Sequence, residues 1–275
     1  MRRWNTGIMP IDPKARKSNG IMSRLHIRWW AAVGLCFLIL LGGFLVFNPG
    51  RPRLNPFQWI LQSTVIMICV LGLLRYGLGR NYHPHQKNLR PTLGYGTWLT
   101  IIRGALIAVL AGYLFQPWPQ SKFLPGRLSW IPGLLYIAAS ILDYTDGRIA
   151  RACRHETRLG EFLDINLDAL GLLIAPLVAV WYGQLPPAYL SVGFAYYLYL
   201  AGIRLRKRLS KPVNKPGPWR GAKLIAGIQM GFVGIALLPI LGPPVTTLTA
   251  YIVMLPLLAG FTRDWMIVCG YRNLK

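Results

Sequence analysis

"DYTDGRIARACRHETRLGEFLDINLD", residues 143–168, holds six of the eight Asp and Glu residues in a chain of 275. They are Asp143, Asp146, Glu156, Glu161, Asp164 and Asp168. The sequence on either side is apolar, with "IPGLLYIAAS" before and "ALGLLIAPLVAV" after. A carboxylate is most costly where water is excluded. A chain this poor in acid that gathers it between apolar segments has a use for the charge there.

The composition outside this stretch is that of a membrane protein. The chain is 53% hydrophobic and 14% charged, with a formal charge of +23, whereas a soluble domain carries roughly a quarter charged residues. A nucleic-acid binder of this charge would set Lys and Arg along helix faces and between aromatics. Here the bases fall between apolar blocks, which is a topology signal. Cys36, Cys69, Cys153 and Cys269 form no CxxC pair, and His83 and His85 have no Cys near them. That argues against a zinc site.

A spanning helix needs about 20 mostly apolar residues. Eight segments qualify: 29–47, 57–74, 98–115, 128–151, 159–182, 186–203, 221–241 and 244–268. The fold expected is therefore an all-α polytopic membrane protein. With the amino terminus inside, only Arg51, Arg53, Lys122 and Arg127 of the 31 Lys and Arg fall outside. Both termini and the acid hairpin are then cytosolic, as in a bacterial-type plasma membrane. Residues 1–28 lack the apolar core of a secretory signal and read as a basic cytosolic tail. An Arg-rich, acid-poor transit peptide, and with it an organellar inner membrane, is the other reading.

The fourth and fifth spans meet through a short link, so their acids lie at similar distances from the turn. Asp143 and Asp146 are i, i+3; Gly160, Asp164 and Asp168 are successive i, i+4 positions, so each set shares a helix face. Four carboxylates converging in a poorly solvated cleft repel one another unless a cation joins them. Hard oxygen ligands suit Mg²⁺ or Mn²⁺, one ion or two, with open positions for substrate phosphate oxygens. Gly147, Ala150 and Gly160 leave room for something bulky beside the backbone. The competing reading is an ion-pair cluster, in which Arg148, Arg151, Arg154 and Arg158 neutralise the acids.

Asp143, Asp146, Gly147, Ala150, Arg151, Gly160, Asp164 and Asp168 spell D-x2-D-G-x2-A-R-x8-G-x3-D-x3-D. This resembles the signature of the CDP-alcohol phosphatidyltransferase family, with every spacing intact. The resemblance implies a six-helix core over 97–275, preceded by a two-span extension with a basic loop, 29–96. It implies metal-dependent transfer of a phosphatidyl group from CDP-diacylglycerol to an alcohol, releasing CMP. On that model Asp143, Asp146, Asp164 and Asp168 hold Mg²⁺ or Mn²⁺, and Asp168 is also the base for the attacking hydroxyl. Gly147, Ala150, Arg151 and Gly160 would meet the CDP-lipid. A phosphorylated polyol such as glycerol 3-phosphate is the expected acceptor. Transfer from CDP-choline or CDP-ethanolamine to diacylglycerol is the alternative within the class. A cation transporter is the alternative outside it, and the lack of a second, inverted acid hairpin counts against that.

Weaker signals surround the hairpin. "TWLTIIR", 97–103, resembles the family's opening N-x-x-T-x-x-R with Thr97 in place of Asn. Arg103 reads equally as a snorkelling interface residue or a substrate contact. "RLRKRLSKPVNKPGPWRGAK", 204–223, carries eight bases that topology alone accounts for. Arg204, near the cleft mouth, is the candidate there for an acceptor phosphate. Lys223 and Gln229 resemble a spacing in glycerophosphate-using members, but Ile225 and Ala226 replace the Lys and Thr between. "FAYYLYL", 194–200, is either an aromatic box or helix packing. Gly227 and Gly231 form a GxxxG, the pattern of a homodimer face or of close packing inside one chain.

Overall fold

The computed structural model describes residues 13–47, 55–85, 88–117, 128–153, 155–214, 216–217 and 221–271. Eight α-helices run through them: α1 (Pro13–Phe47), α2 (Pro56–Gly77), α3 (Tyr95–Ala111), α4 (Ile131–Ala152), α5 (Arg158–Trp181), α6 (Leu190–Arg208), α7 (Ala222–Ala236) and α8 (Val245–Cys269). Among the described residues the one extended pairing is a single antiparallel bridge, Tyr82 to Leu89. The all-α reading therefore holds, and each of the eight apolar segments falls on one of these helices. Helix α1 starts well before the expected span, at Pro13, so part of the presumed tail is helical. Lys and Arg are good helix formers, and a basic segment ahead of a span simply continues it. Residues 1–12, Arg51, Arg53, Lys122, Arg127 and Arg154 lie outside the described residues.

The ends of the helices follow local chemistry. Asn55 caps α2 by accepting from the Gln58 amide at 3.1 Å, with Pro56 in the first turn. Thr157 caps α5 by accepting from the Gly160 amide at 3.1 Å, which fixes where the returning acid helix begins. Gly270 takes φ +84° to end α8.

Four helices are long and apolar enough to cross a membrane: Gly20–Phe47, Pro56–Arg80, Arg158–Trp181 and Val245–Cys269. Helices α3 and α7 are shorter apolar helices. Asp143, Asp146 and Arg148 on α4, and Arg204, Arg206 and Lys207 on α6, dilute the apolar character of those two. The chain is an integral membrane protein. Only 17% of the most apolar window of α1 and of α8 is buried, so side chains such as Phe37, Leu45, Leu248 and Ile252 face outward where lipid would lie.

The neighbours of each helix define a closed ring, α3–α4–α7–α8–α6–α5 and back to α3, with α5 also touching α7 across it. Helices α1 and α2 stand outside this ring against α3, and α2 reaches α5. Although consecutive, α4 and α5 barely touch; α3 packs against both. A Cβ on Gly96 of α3 would lie 2.8 Å from the Asp146 carbonyl and 3.0 Å from the Ala150 methyl, so glycine lets α3 seat closely on α4. Gly227 and Gly231 meet nothing within 4 Å, so among the described residues this GxxxG serves no packing inside the chain.

Candidate active site

Arg103 lies in the middle of α3, between α4 and α5, with a side chain 1% exposed. A cation buried this deeply must be paired. It forms an ion pair with Asp143 and lies 3.2 Å from Asp164 Oδ1 and 3.1 Å from Asp168 Oδ1. Its Nη2 also approaches the Asp164 carbonyl at 3.4 Å. The three carboxylate side chains are 26%, 41% and 35% exposed. The guanidinium is thus buried beneath three part-exposed acids.

One carboxylate oxygen from each of Asp143, Asp164 and Asp168 lies within 4.8 Å of the other two. Three carboxylates share one guanidinium, a formal excess of two negative charges within this group. Charge and donor type both fit a hard divalent cation. Asp146, one turn along α4, stands outside this group. It is 5% exposed and accepts from the Thr100 hydroxyl of α3 at 2.8 Å.

Asp146 and Asp164 border a cleft of about 260 Å³ at the α4–α5 turn. All four residues expected for the CDP-lipid, Gly147, Ala150, Arg151 and Gly160, line it. A Cβ on Gly160 would find only the Thr157 and Thr97 hydroxyls, at 3.5 and 3.9 Å, and one on Gly147 only the Arg151 guanidinium, at 3.4 Å and beyond. These two glycines therefore keep cavity space open rather than let helices touch. Thr97 and Thr100 line the α3 side; Glu156 and Thr157 line the turn. His155 closes one end, its Nε2 3.3 Å from the Thr92 carbonyl. Burial, with the charge of Arg90 adding to it, holds its imidazole below the ordinary histidine value against the opposing effect of the hydrogen bond its Nε2–H donates to Thr92.

Asp168 faces the other way, into a second cavity of about 240 Å³ between α5, α6, α7 and α8. Tyr196, Ala226, Phe261 and Asp264 share that lining. Arg204 is exposed near the end of α6 and lines neither cavity, although Tyr196 lies within electrostatic reach of both Arg204 and Asp168. Gln229 is fully buried, accepting from the Tyr189 hydroxyl, so packing occupies it. The side chain of Lys223 lies outside the described residues. Tyr199 packs on Phe261 and Trp265, as in the helix-packing reading of its aromatic run.

Of the arginines proposed to neutralise the acids, Arg158 does so for Glu161, Arg148 and Arg151 do other things, and Arg154 lies outside the described residues. Arg148 stacks on Tyr144 at 4.0 Å, Arg151 lies beside Gly147, and Arg158 pairs with Glu161 at 2.7 Å. The countercharge to Asp143, Asp164 and Asp168 comes instead from Arg103, which sequence reasoning left undecided. The signal that marked it was its place in T-x-x-R beside Thr100, whose hydroxyl meets another of the acids.

A family model for the CDP-alcohol phosphatidyltransferases matches residues 95–268. A CDP-diacylglycerol–glycerol-3-phosphate 3-phosphatidyltransferase of Cereibacter sphaeroides is 26% identical over 148 residues, 51% of this chain and 62% of its own. Proteins of the same name from Yersinia enterocolitica and Sodalis glossinidius are 36% identical over 103 residues and 31% over 106. Those two matches cover 35% of this chain and 52% of each relative. The chain thus spans less than two thirds of the length of these curated relatives. No solved structure matches it.

Proposed function

The chain belongs to the CDP-alcohol phosphatidyltransferase family, and from that premise we propose that it transfers a phosphatidyl group from CDP-diacylglycerol to an alcohol, releasing CMP. The names of its relatives support glycerol 3-phosphate as the acceptor. One observation carries the reading: the Asp143, Asp164 and Asp168 carboxylates converge beside a cleft lined by Gly147, Ala150, Arg151 and Gly160.

On this reading the catalytic unit is 97–275, with 29–96 added before it, and the cleft opens to the cytosol. Asp143, Asp146, Asp164 and Asp168 would hold Mg²⁺ or Mn²⁺, one ion or a pair. A divalent ion there supplies charge neutralisation to the phosphoryl oxygens. Gly147, Ala150 and Gly160 leave space for the nucleotide, and Arg151 meets its phosphates. The acceptor oxygen forms a bond to the lipid-bearing phosphorus as the bond from that phosphorus to the CMP oxygen breaks. Asp168 takes the hydroxyl proton, and CMP departs with the electron pair of the broken bond. Its place between the donor cleft and the second cavity suits that role. Arg103 holds the acid set in register, and Arg204 is the base assigned to the acceptor's phosphate.

The test is to incubate the purified full-length protein with CDP-diacylglycerol, Mn²⁺ and a panel of alcohols. CMP release and a phospholipid whose mass identifies the acceptor are expected. No CMP release with any alcohol overturns the reading; a product other than phosphatidylglycerophosphate overturns the acceptor alone.

A further inference from the structure

The donor cleft has a wall that the matched family region does not contain. Pro84 lines it beside Gly147, Ala150, Arg151 and Gly160, yet Pro84 precedes the matched residues 95–268. It belongs to the connection from α2 to α3. Hydrogen bonds within the connection set its shape, and four further contacts hold it against the turn between the two acid-bearing helices and the start of α5. Asn81 is fully buried, and its side-chain amide donates to the carbonyls of Arg90 at 2.8 Å and Thr92 at 3.0 Å. Its own carbonyl accepts from the Arg90 amide at 2.8 Å. The Tyr82 carbonyl accepts from the Arg158 amide, at the first residue of α5, at 3.0 Å. His155 of the turn meets the Thr92 carbonyl, and Gly94 sits so close that a Cβ there would fall 2.4 Å from the His155 ring. Beneath them, Arg80 lies 4.4 Å over the Phe162 ring of α5.

The bonds of Asn81 fold the connection onto itself, and the contacts of Tyr82, Thr92, Gly94 and Arg80 join it to residues 155–162, where the cleft is built. A connection serving only to link two spans has no need of a fully buried asparagine bonded to two carbonyls. We propose that residues 81–85 form the outer wall of the donor cleft, with Pro84 against the nucleotide of a CDP-activated lipid and Asn81 and His155 as its positioning residues. The two added helices thereby serve donor recognition as well as membrane insertion. The inference rests on the phosphatidyl-transfer reading.

Pro84→Ala and Asn81→Ala test it in the full-length protein, through the KM for CDP-diacylglycerol, the inhibition constant of CMP, the acceptor KM and kcat. Loss of a wall contact should raise the donor KM and the CMP inhibition constant together, about fivefold, the scale of one lost hydrogen bond or packing contact. The acceptor KM and kcat should stay within about twofold, because the second cavity and Asp168 are untouched. A merely structural role would not move CMP inhibition selectively. Should Asn81→Ala fail to fold, Pro84→Ala decides. Donor and CMP constants at wild-type values, or all four constants moving together, overturn the wall while the wild-type turnover still supports the activity. A wild type that neither releases nor binds CMP overturns both.

Discussion

Fully buried Arg103 of α3 and part-exposed Asp143 of α4 form an ion pair, and the same guanidinium reaches Asp164 and Asp168 of α5. Since α4 and α5 barely touch, this one side chain spans the gap between their acids. It orders the carboxylates without neutralising them all. The charge left over gives a divalent ion a reason to bind.

Removing that guanidinium should leave the carboxylates facing one another. Arg103→Gln is expected to lose about 1–3 kcal/mol of stability, because the carboxylates left behind are part-exposed to water and only the vacated site is buried. Mn²⁺ should recover more of the thermal stability in this variant than in the wild type, because the ion replaces the missing charge. Arg103→Lys keeps a charge but not the planar fork and should fall between. Wild-type turnover and stability in Arg103→Gln would make Arg103 an interface residue after all.

Much of this was legible in the sequence, and the rest was not for physical reasons. Spans show in hydropathy, and the i, i+3 and i, i+4 spacing of the aspartates shows which face they share. The spacing says nothing of what stands opposite. Arg103 sits in an apolar run, where a snorkelling base and a buried one look alike; only the position of α3 between α4 and α5 separates them. Asp146 reads as the equal of Asp143, yet Thr100 draws it one turn aside. Pro84 carries no chemistry of its own, and its place depends on what Asn81 bonds to.

If Asp143, Asp164 and Asp168 hold an ion, chelation should abolish CMP release, and added Mn²⁺ or Mg²⁺ should restore it. Purified protein titrated with chelator, then with metal, gives the measurement. Undiminished turnover in excess chelator would remove the metal from the reaction and leave the countercharge to Arg103 and other side chains.

Gly160 separates space from stability. A methyl there meets only hydroxyls at ordinary contact distance, and alanine is the better helix former by about 1 kcal/mol. Gly160→Ala should therefore raise the melting temperature while raising the donor KM about tenfold, the worth of one methyl-sized misfit in a pocket. Thermal melts and donor titration read the two effects separately. Unchanged donor KM would mean that the nucleotide does not approach this glycine.

Asp168 is distinguished from the other acids by facing the second cavity. Asp168→Asn keeps the volume and one metal-capable oxygen but cannot take up the hydroxyl proton. Donor and metal binding should largely survive while kcat falls ~10²–10⁴-fold, the usual worth of a general base. Asp143→Asn should instead weaken Mn²⁺ and CDP-diacylglycerol binding together, since its partner Arg103 stays buried beside a neutral amide. Asp146→Asn should affect the donor cleft, which it lines, through its bond to Thr100. Titrating donor and Mn²⁺ against each purified variant, alongside turnover, separates the roles. If Asp168→Asn loses binding as badly as Asp143→Asn, Asp168 acts chiefly as a ligand. If it turns over normally, the proton leaves by another route, and the second cavity is not where the acceptor hydroxyl is activated.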